Sequence, residues 1–187
     1  MIVDRFLKDY RCEIRTEADG KTREVYVYDG RVYISKETAR DHRIRGIFIG
    51  TGAILAAGTF VLGILFDSIP ARCVYAVLPY AVNFLTFYFL FRSVVAYLKK
   101  RDSYTKKQKM VSFDSFRPVG VVGALLDLTA LVGAGVCFIK GARFEFNDFL
   151  FVACAAVQMG FFVFVFITGK KICSQITENT REERNND

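Results

Sequence analysis

Asp127 is a lone carboxylic acid inside a long apolar run, and by residue type it is the group in this chain best placed to do chemistry. A carboxyl group in a shielded setting can titrate, accepts hydrogen bonds when ionised and donates one when protonated. Three other polar side chains lie in comparable runs, Asn83, Arg92 and Gln158. At about 1.5 Å per helical residue, Asn83, Asp127 and Gln158 fall at nearly one depth, with Arg92 roughly 10 Å towards one end of its run. Two chemistries fit this set. One is an interhelical polar clamp, which needs only hydrogen-bond partners. The other is a proton- or cation-responsive path, which normally also shows a second carboxylate, a broken helix or an internal repeat. The sequence displays none of these three. The Arg92 side chain is long enough either to approach Asp127 or to extend to the headgroup layer.

Other chemistry is poorly supplied. His42 is the only histidine, so no histidine-based metal site and no Ser–His pair is expected within one chain. It reads as a solvated residue in the basic approach to the first apolar run. The five cysteines include no C-x-x-C pair. Cys73 and Cys137 fall near the same end of adjacent runs, where a disulfide is geometrically conceivable, but two small apolar residues is the simpler reading. Cys12 and Cys173 are assigned to the side where thiols stay reduced. No enzymatic activity, cofactor or metal is expected.

The elements that must position these groups are four apolar runs, 46–66, 73–98, 118–139 and roughly 149–168. Each is about 20 residues or longer, the length an α-helix needs to cross about 30 Å of hydrocarbon. The expected fold class is an all-α integral membrane protein, a four-helix transmembrane bundle carrying a small N-terminal cytoplasmic β-cap. Basic residues set the orientation. Twenty-two Lys and Arg fall before the first run, between the second and third, or after the fourth, against three in the other two loops. The positive-inside rule puts both termini and the middle loop in the cytoplasm, most simply of a plasma (inner) membrane. The net charge of +7 is concentrated in those same segments, so no nucleic-acid partner is needed to explain it. No cleavable leader is expected, because charges interrupt the first ten residues and the first run doubles as the targeting signal.

Small residues mark the expected helix contacts. Gly120, Gly123, Asp127, Ala130 and Ala134 follow one another at three- and four-residue steps, and Gly46, Gly50, Ala53 and Ala57 form a second stripe.

Residues 1–45 are expected to form the cap: a short amphipathic segment, a three-stranded β-meander over 10–35, and a helical approach over 36–45 capped by Ser35. Asp19-Gly20 and Asp29-Gly30 are both two-residue hairpin signals. Read that way, Cys12 and Ile14 face Val27 and Val25, which in turn face Val32 and Ile34. One apolar sheet face results. The opposite face would carry Tyr26, Tyr28 and Tyr33 with Arg11 close by and Arg31 beside it, a candidate surface for another membrane or cytoplasmic protein, or for a second copy of the chain. The basic side chains Lys99, Lys100, Arg101, Lys106, Lys107 and Lys109 are candidate contacts for anionic lipid headgroups of the bilayer. Residues 169–187 read as a polar cytoplasmic tail. Taken together the residues point to a non-enzymatic accessory, anchoring or regulatory membrane subunit, with a small ion- or proton-coupled transporter using Asp127 as the alternative.

Overall fold

The computed structural model describes residues 10–16, 22–28, 30–99, 103–139 and 145–179. In chain order the elements are β1 (Tyr10–Thr16), β2 (Thr22–Tyr28), β3 (Val32–Ser35), α1 (Ala39–Leu65), α2 (Ile69–Arg72), α3 (Val74–Leu98), β4 (Tyr104–Thr105), α4 (Lys106–Lys109), a π-helical turn (Met110–Asp114), α5 (Phe116–Ile139), α6 (Phe146–Cys173) and β5 (Ile176–Asn179). The chain is mostly helical, and α1, α3, α6 and the continuous stretch from α4 through α5 are long and apolar enough to cross a membrane. Around the bundle, α1 packs against α3, α3 against α5, α5 against α6 and α6 back against α1. Large apolar side chains cover the outer surface; Phe48, Leu55, Val74, Phe84 and Phe149 are all more than half exposed. An outer surface of that kind is stable against hydrocarbon and not against water.

Small residues let the helices approach. On α5 the buried face is Gly120, Gly123, Asp127, Ala130, Gly133, Ala134 and Cys137. A Cβ on Gly120 would stand 2.7 Å from the Phe166 backbone nitrogen and 2.8 Å from the Phe162 carbonyl oxygen, so only glycine permits this α5–α6 contact. Gly133 does the same against α3, where a Cβ would come within 2.6 Å of the Tyr75 carbonyl. Pro79 sits one turn further along α3 and supplies no N–H to that carbonyl, so the closest approach falls where the helix lacks a bond.

Each end of α1 has a local cause. Thr38 is its N-cap: the Thr38 hydroxyl oxygen accepts from the Asp41 backbone N–H at 3.2 Å. The expected cap, Ser35, instead ends β3, and its hydroxyl oxygen accepts from the Glu37 N–H at 3.3 Å. Beyond α1, Ser68 caps α2, and the buried Asp148 on the first turn of α6 accepts from the Ile69 N–H at 2.7 Å and the Glu145 N–H at 2.9 Å. A carboxylate at a helix N-terminus is favoured by the helix dipole, and this one ties α6 to the α1–α3 connection.

The β-structure differs from the expected meander. A three-stranded sheet is present, but its order is β4-β3-β5, and among the described residues β1 pairs only with β2. Val32–Ser35 leads directly into α1, and Ile176–Asn179 directly follows α6. Because α1 and α6 are packed neighbours, these short extensions meet at the bundle end and pair antiparallel, Val32 with Asn179 through Ser35 with Ile176. The β1–β2 register also differs by one residue from the expected one. Cys12 lies opposite Tyr26 and Glu13 opposite Val25, because five residues, 17–21, separate the paired Thr16 and Thr22. That length belongs to a longer hairpin loop and not to a two-residue turn. A one-residue slip redistributes the apolar set over both faces. The Asp19-Gly20 turn and Asp29 lie outside the described residues, as do the N-terminal amphipathic segment and the tail from residue 180.

Candidate functional site

Two buried polar clusters sit at different depths in the bundle. In the middle, the Asn83 amide of α3 donates from Nδ2 to Oδ1 of Asp127 on α5 at 2.8 Å. One turn away on α3, Tyr80 reaches across the centre. Its hydroxyl accepts from Gln158 Nε2 of α6 at 2.7 Å and donates towards the Phe60 and Thr59 carbonyl oxygens of α1 at 3.2 and 3.3 Å. All four long helices are therefore joined by four polar side chains and two α1 carbonyls. Asn83, Asp127, Gln158 and Tyr80 are each fully buried. Three of their oxygens, Asn83 Oδ1, Asp127 Oδ2 and Gln158 Oε1, have no hydrogen-bond partner. Buried acceptors without donors are costly, so this cluster is under-satisfied.

The sequence grouped Arg92 with this set, and the structure separates it. Arg92 is exposed on the outer side of α3 and lines a surface cavity with Lys99 and Lys107. It lies nine residues beyond Asn83 towards the end of α3 that carries Lys99. The distance between turns, together with burial of the Asp127 face against α3 and α6, keeps the guanidinium at the bundle surface.

The second cluster lies where β3, α1, α3 and α6 come together. Glu37 is buried, and its carboxylate receives three donors: the Tyr97 hydroxyl at 2.7 Å, His42 Nδ1 at 3.0 Å and the Arg45 guanidinium. His42 Nε2 lies 2.7 Å from the Tyr97 carbonyl oxygen. The imidazole thus bridges the Glu37 carboxylate and the end of α3, the roles of its two nitrogens following its tautomer. The ring stacks on Tyr97 with centroids 4.0 Å apart. Arg45 also donates to the Gln175 side-chain oxygen at 2.7 Å, and the Lys36 N–H to the Gln175 carbonyl at 2.9 Å. Here a carboxylate is fully buried and fully served.

His42 was expected to be solvated; it is 2 % exposed. The signal was present in the pattern. Extending the stripe of Gly46 and Ala53 back by one turn lands on His42, and the observed buried face of α1 runs His42, Gly46, Ile49, Ala53. Tyr80, Tyr97, Glu37 and Asp148 carried no comparable signal.

The expected tyrosine surface is divided. Tyr26 is exposed on β2, whereas Tyr33 is half-buried in the other sheet with Lys109 Nζ 4.5 Å from its ring centroid. Arg31 is exposed between the two sheets; Arg11 and Tyr28 are paired along the backbone with Val27 and Tyr10. Among the basic candidates, Lys99, Lys106 and Lys107 are exposed, and Lys109 approaches Asp114 at 3.8 Å. Lys100 and Arg101 lie outside the described residues. At the opposite end of the bundle, the exposed Asp67 and Arg72 pair, Arg72 Nε donating to Asp67 Oδ1 at 2.8 Å. That hydrogen bond holds the Asp67 carboxyl below its usual range and the Arg72 guanidinium above its own.

Comparison with protein-family models, with curated proteins and with solved structures gives no match to this chain. The site must be read on its own geometry.

Proposed function

We propose that this chain is a non-enzymatic, multi-pass membrane protein with an accessory, anchoring or regulatory role, its four long helices in the bilayer and both termini in the cytoplasm. The observation that carries this reading is the β1–β2 hairpin. Among the described residues it pairs only with itself, and the opposed Cys12 and Tyr26 are both exposed. An isolated two-stranded hairpin is marginal in water, and its open edges are templates for another strand. A membrane or cytoplasmic protein that adds to one edge would stabilise it by main-chain hydrogen bonds. The buried clusters support the same reading, since their polar groups are turned towards one another across helices. The orientation rests on the basic residues that flank the β4-β3-β5 end.

The test is purification from the native host in mild detergent. The full chain is expected to bring down a defined partner, and a chain lacking residues 10–28 to lose it while its bundle unfolds at an unchanged temperature. A full chain that reproducibly comes out alone contradicts the proposal.

A second reading is favoured by one specific observation, the three partnerless oxygens around Asp127. A proton or a small cation would satisfy them, which is what a proton- or ion-coupled transporter requires. In reconstituted vesicles that reading demands a flux between pH 5 and 8 that Asp127→Asn abolishes without unfolding the protein. No flux in the wild type removes it.

A further inference from the structure

Arg92 poses a problem that the bundle does not solve internally. It projects from α3 well before the end of an otherwise apolar helix, on the face exposed to the surroundings. A guanidinium at that depth needs either a counter-anion or a route to water. Two adjoining cavities meet at this residue. The first, about 410 Å³, is bounded by Arg92, Lys99, Lys107, Gln108 and Ser112. The second, about 310 Å³, lies on the side towards the bundle middle and is walled chiefly by Phe89, Met110, Pro118 and Val119. Arg92 and Val111 line both. Among the described residues, no carboxylate lines either one.

The arrangement has a cause in the chain. From residue 103 the chain runs back along α3 as β4, α4 and the π-helical turn. Tyr104 and Phe113 anchor it, buried edge to face with centroids 4.9 Å apart. The Thr105–Gln108 capping box starts α4 so that Lys107 and Gln108 stand beside the last turns of α3. Three cations and the neutral polar side chains of Tyr104, Gln108 and Ser112 thus border one concavity, and its inner neighbour is mainly apolar, with Ser93 and Ser115 at its wall.

We infer that this paired cavity is a binding site for one anionic glycerophospholipid. The phosphate takes the basic cavity, with Arg92 donating in fork geometry and Lys99 and Lys107 adding point charge. One acyl chain lies in the groove of Phe89, Met110 and Val119. Basic pockets beside transmembrane helices at the positively charged face are suited to such headgroups. The inference rests on the four helices lying in a bilayer, and on no protein partner.

The experiment is native mass spectrometry of the full chain in detergent, titrated with phosphatidylglycerol or phosphatidylcholine of matched acyl chains. The wild type is expected to retain one phosphatidylglycerol with at least about tenfold preference over phosphatidylcholine, a difference of about 1.4 kcal/mol. Arg92→Gln and Lys99→Gln, both exposed substitutions, are each expected to remove most of that preference. Lys171→Gln, which deletes one exposed charge at the same end on α6, is expected to leave it intact. Equal retention of the two lipids by the wild type overturns the inference. So does an equal loss in Lys171→Gln, which would mean diffuse attraction without a site. Displacement of the lipid by inorganic phosphate alone at millimolar concentration would assign the basic cavity to a soluble phosphate ligand and overturn the lipid assignment. Whether the helices cross a bilayer is measured separately, by thiol labelling in membranes, so failure of the lipid site and failure of the membrane reading give different results.

Discussion

The two buried clusters solve one problem with different materials. At the β4-β3-β5 end, the Glu37 carboxylate is matched by the Tyr97 hydroxyl, the His42 ring and the Arg45 guanidinium. In the middle of the bundle, Asp127 has one amide donor, and its own Oδ2, Asn83 Oδ1 and Gln158 Oε1 lack partners. The difference follows from depth. Near a helix end, a long cationic side chain can reach inward while its stem packs on apolar neighbours, and the last carbonyls of α3 accept from His42. At mid-depth only short neutral donors fit between closely packed helices. The end cluster is therefore a fully hydrogen-bonded joint between the β4-β3-β5 sheet and the bundle, whereas the middle cluster is a weaker, neutral-donor clamp.

That contrast gives an order of effects. Removing the central carboxylate of the end cluster in Glu37→Ala leaves the Arg45 guanidinium, the Tyr97 hydroxyl and the His42 ring without their shared acceptor. A loss of about 3–5 kcal/mol in thermal or denaturant unfolding in detergent is expected. A loss below that of any middle-cluster variant would break the comparison. Gly120→Ala forces a Cβ against α6 backbone and is expected to cost about 1–3 kcal/mol. The matched control Gly58→Ala, with open space around its Cβ, is expected to be neutral or to stabilise by up to about 1 kcal/mol. Asp127→Leu strips the clamp of its hydrogen bond and should cost about 0.5–2 kcal/mol, and Asp127→Asn less, because Asn keeps the shape and one acceptor. If Asp127→Asn is the worse of the two, the carboxyl does something that an amide cannot, and the transport reading gains.

The smallest effect belongs to the exposed Asp67–Arg72 pair. Its bond depresses the Asp67 pKa in the folded state, so its contribution is present at neutral pH and is lost as pH falls through the depressed value. Asp67→Asn is expected to lower stability slightly at neutral pH, leave it unchanged at low pH, and so flatten the acid limb of the pH–stability profile. A change at pH 7 to 8 comparable with Asp127→Leu would show the pair to be more than a surface contact.

Legibility tracked contrast with the local background. Asp127 was conspicuous because it interrupts an apolar run, and the Gly120–Ala134 stripe because small residues recur at helical spacing. Four long helices followed from the same periodic composition. The Glu37 cluster was invisible for the opposite reason. Its members at 37, 42, 45, 97 and 175 are ordinary polar residues at the polar ends of runs, and only the return of α3 and α6 to the start of α1 assembles them. The β-meander failed because turn residues specify that a chain bends, not which strand it meets afterwards. Packing of α1 on α6 decided that β3 joins β5. Arg92 was left with two options by the sequence, and the structure puts it on the exposed side of α3 away from Asp127, since sequence spacing gives height along a helix more firmly than rotation about it.

Both clusters take their meaning from where the bilayer lies, and that is directly measurable. In a cysteine-free background, single cysteines at Asp67, Ser103, Phe146 and Thr177 are treated with a membrane-impermeant maleimide on intact cells. The account predicts labelling at positions 67 and 146 only, with 103 and 177 reacting after the membrane is opened. Labelling of 103 or 177 from outside, or of all four alike, would contradict the four-span arrangement with both termini inside.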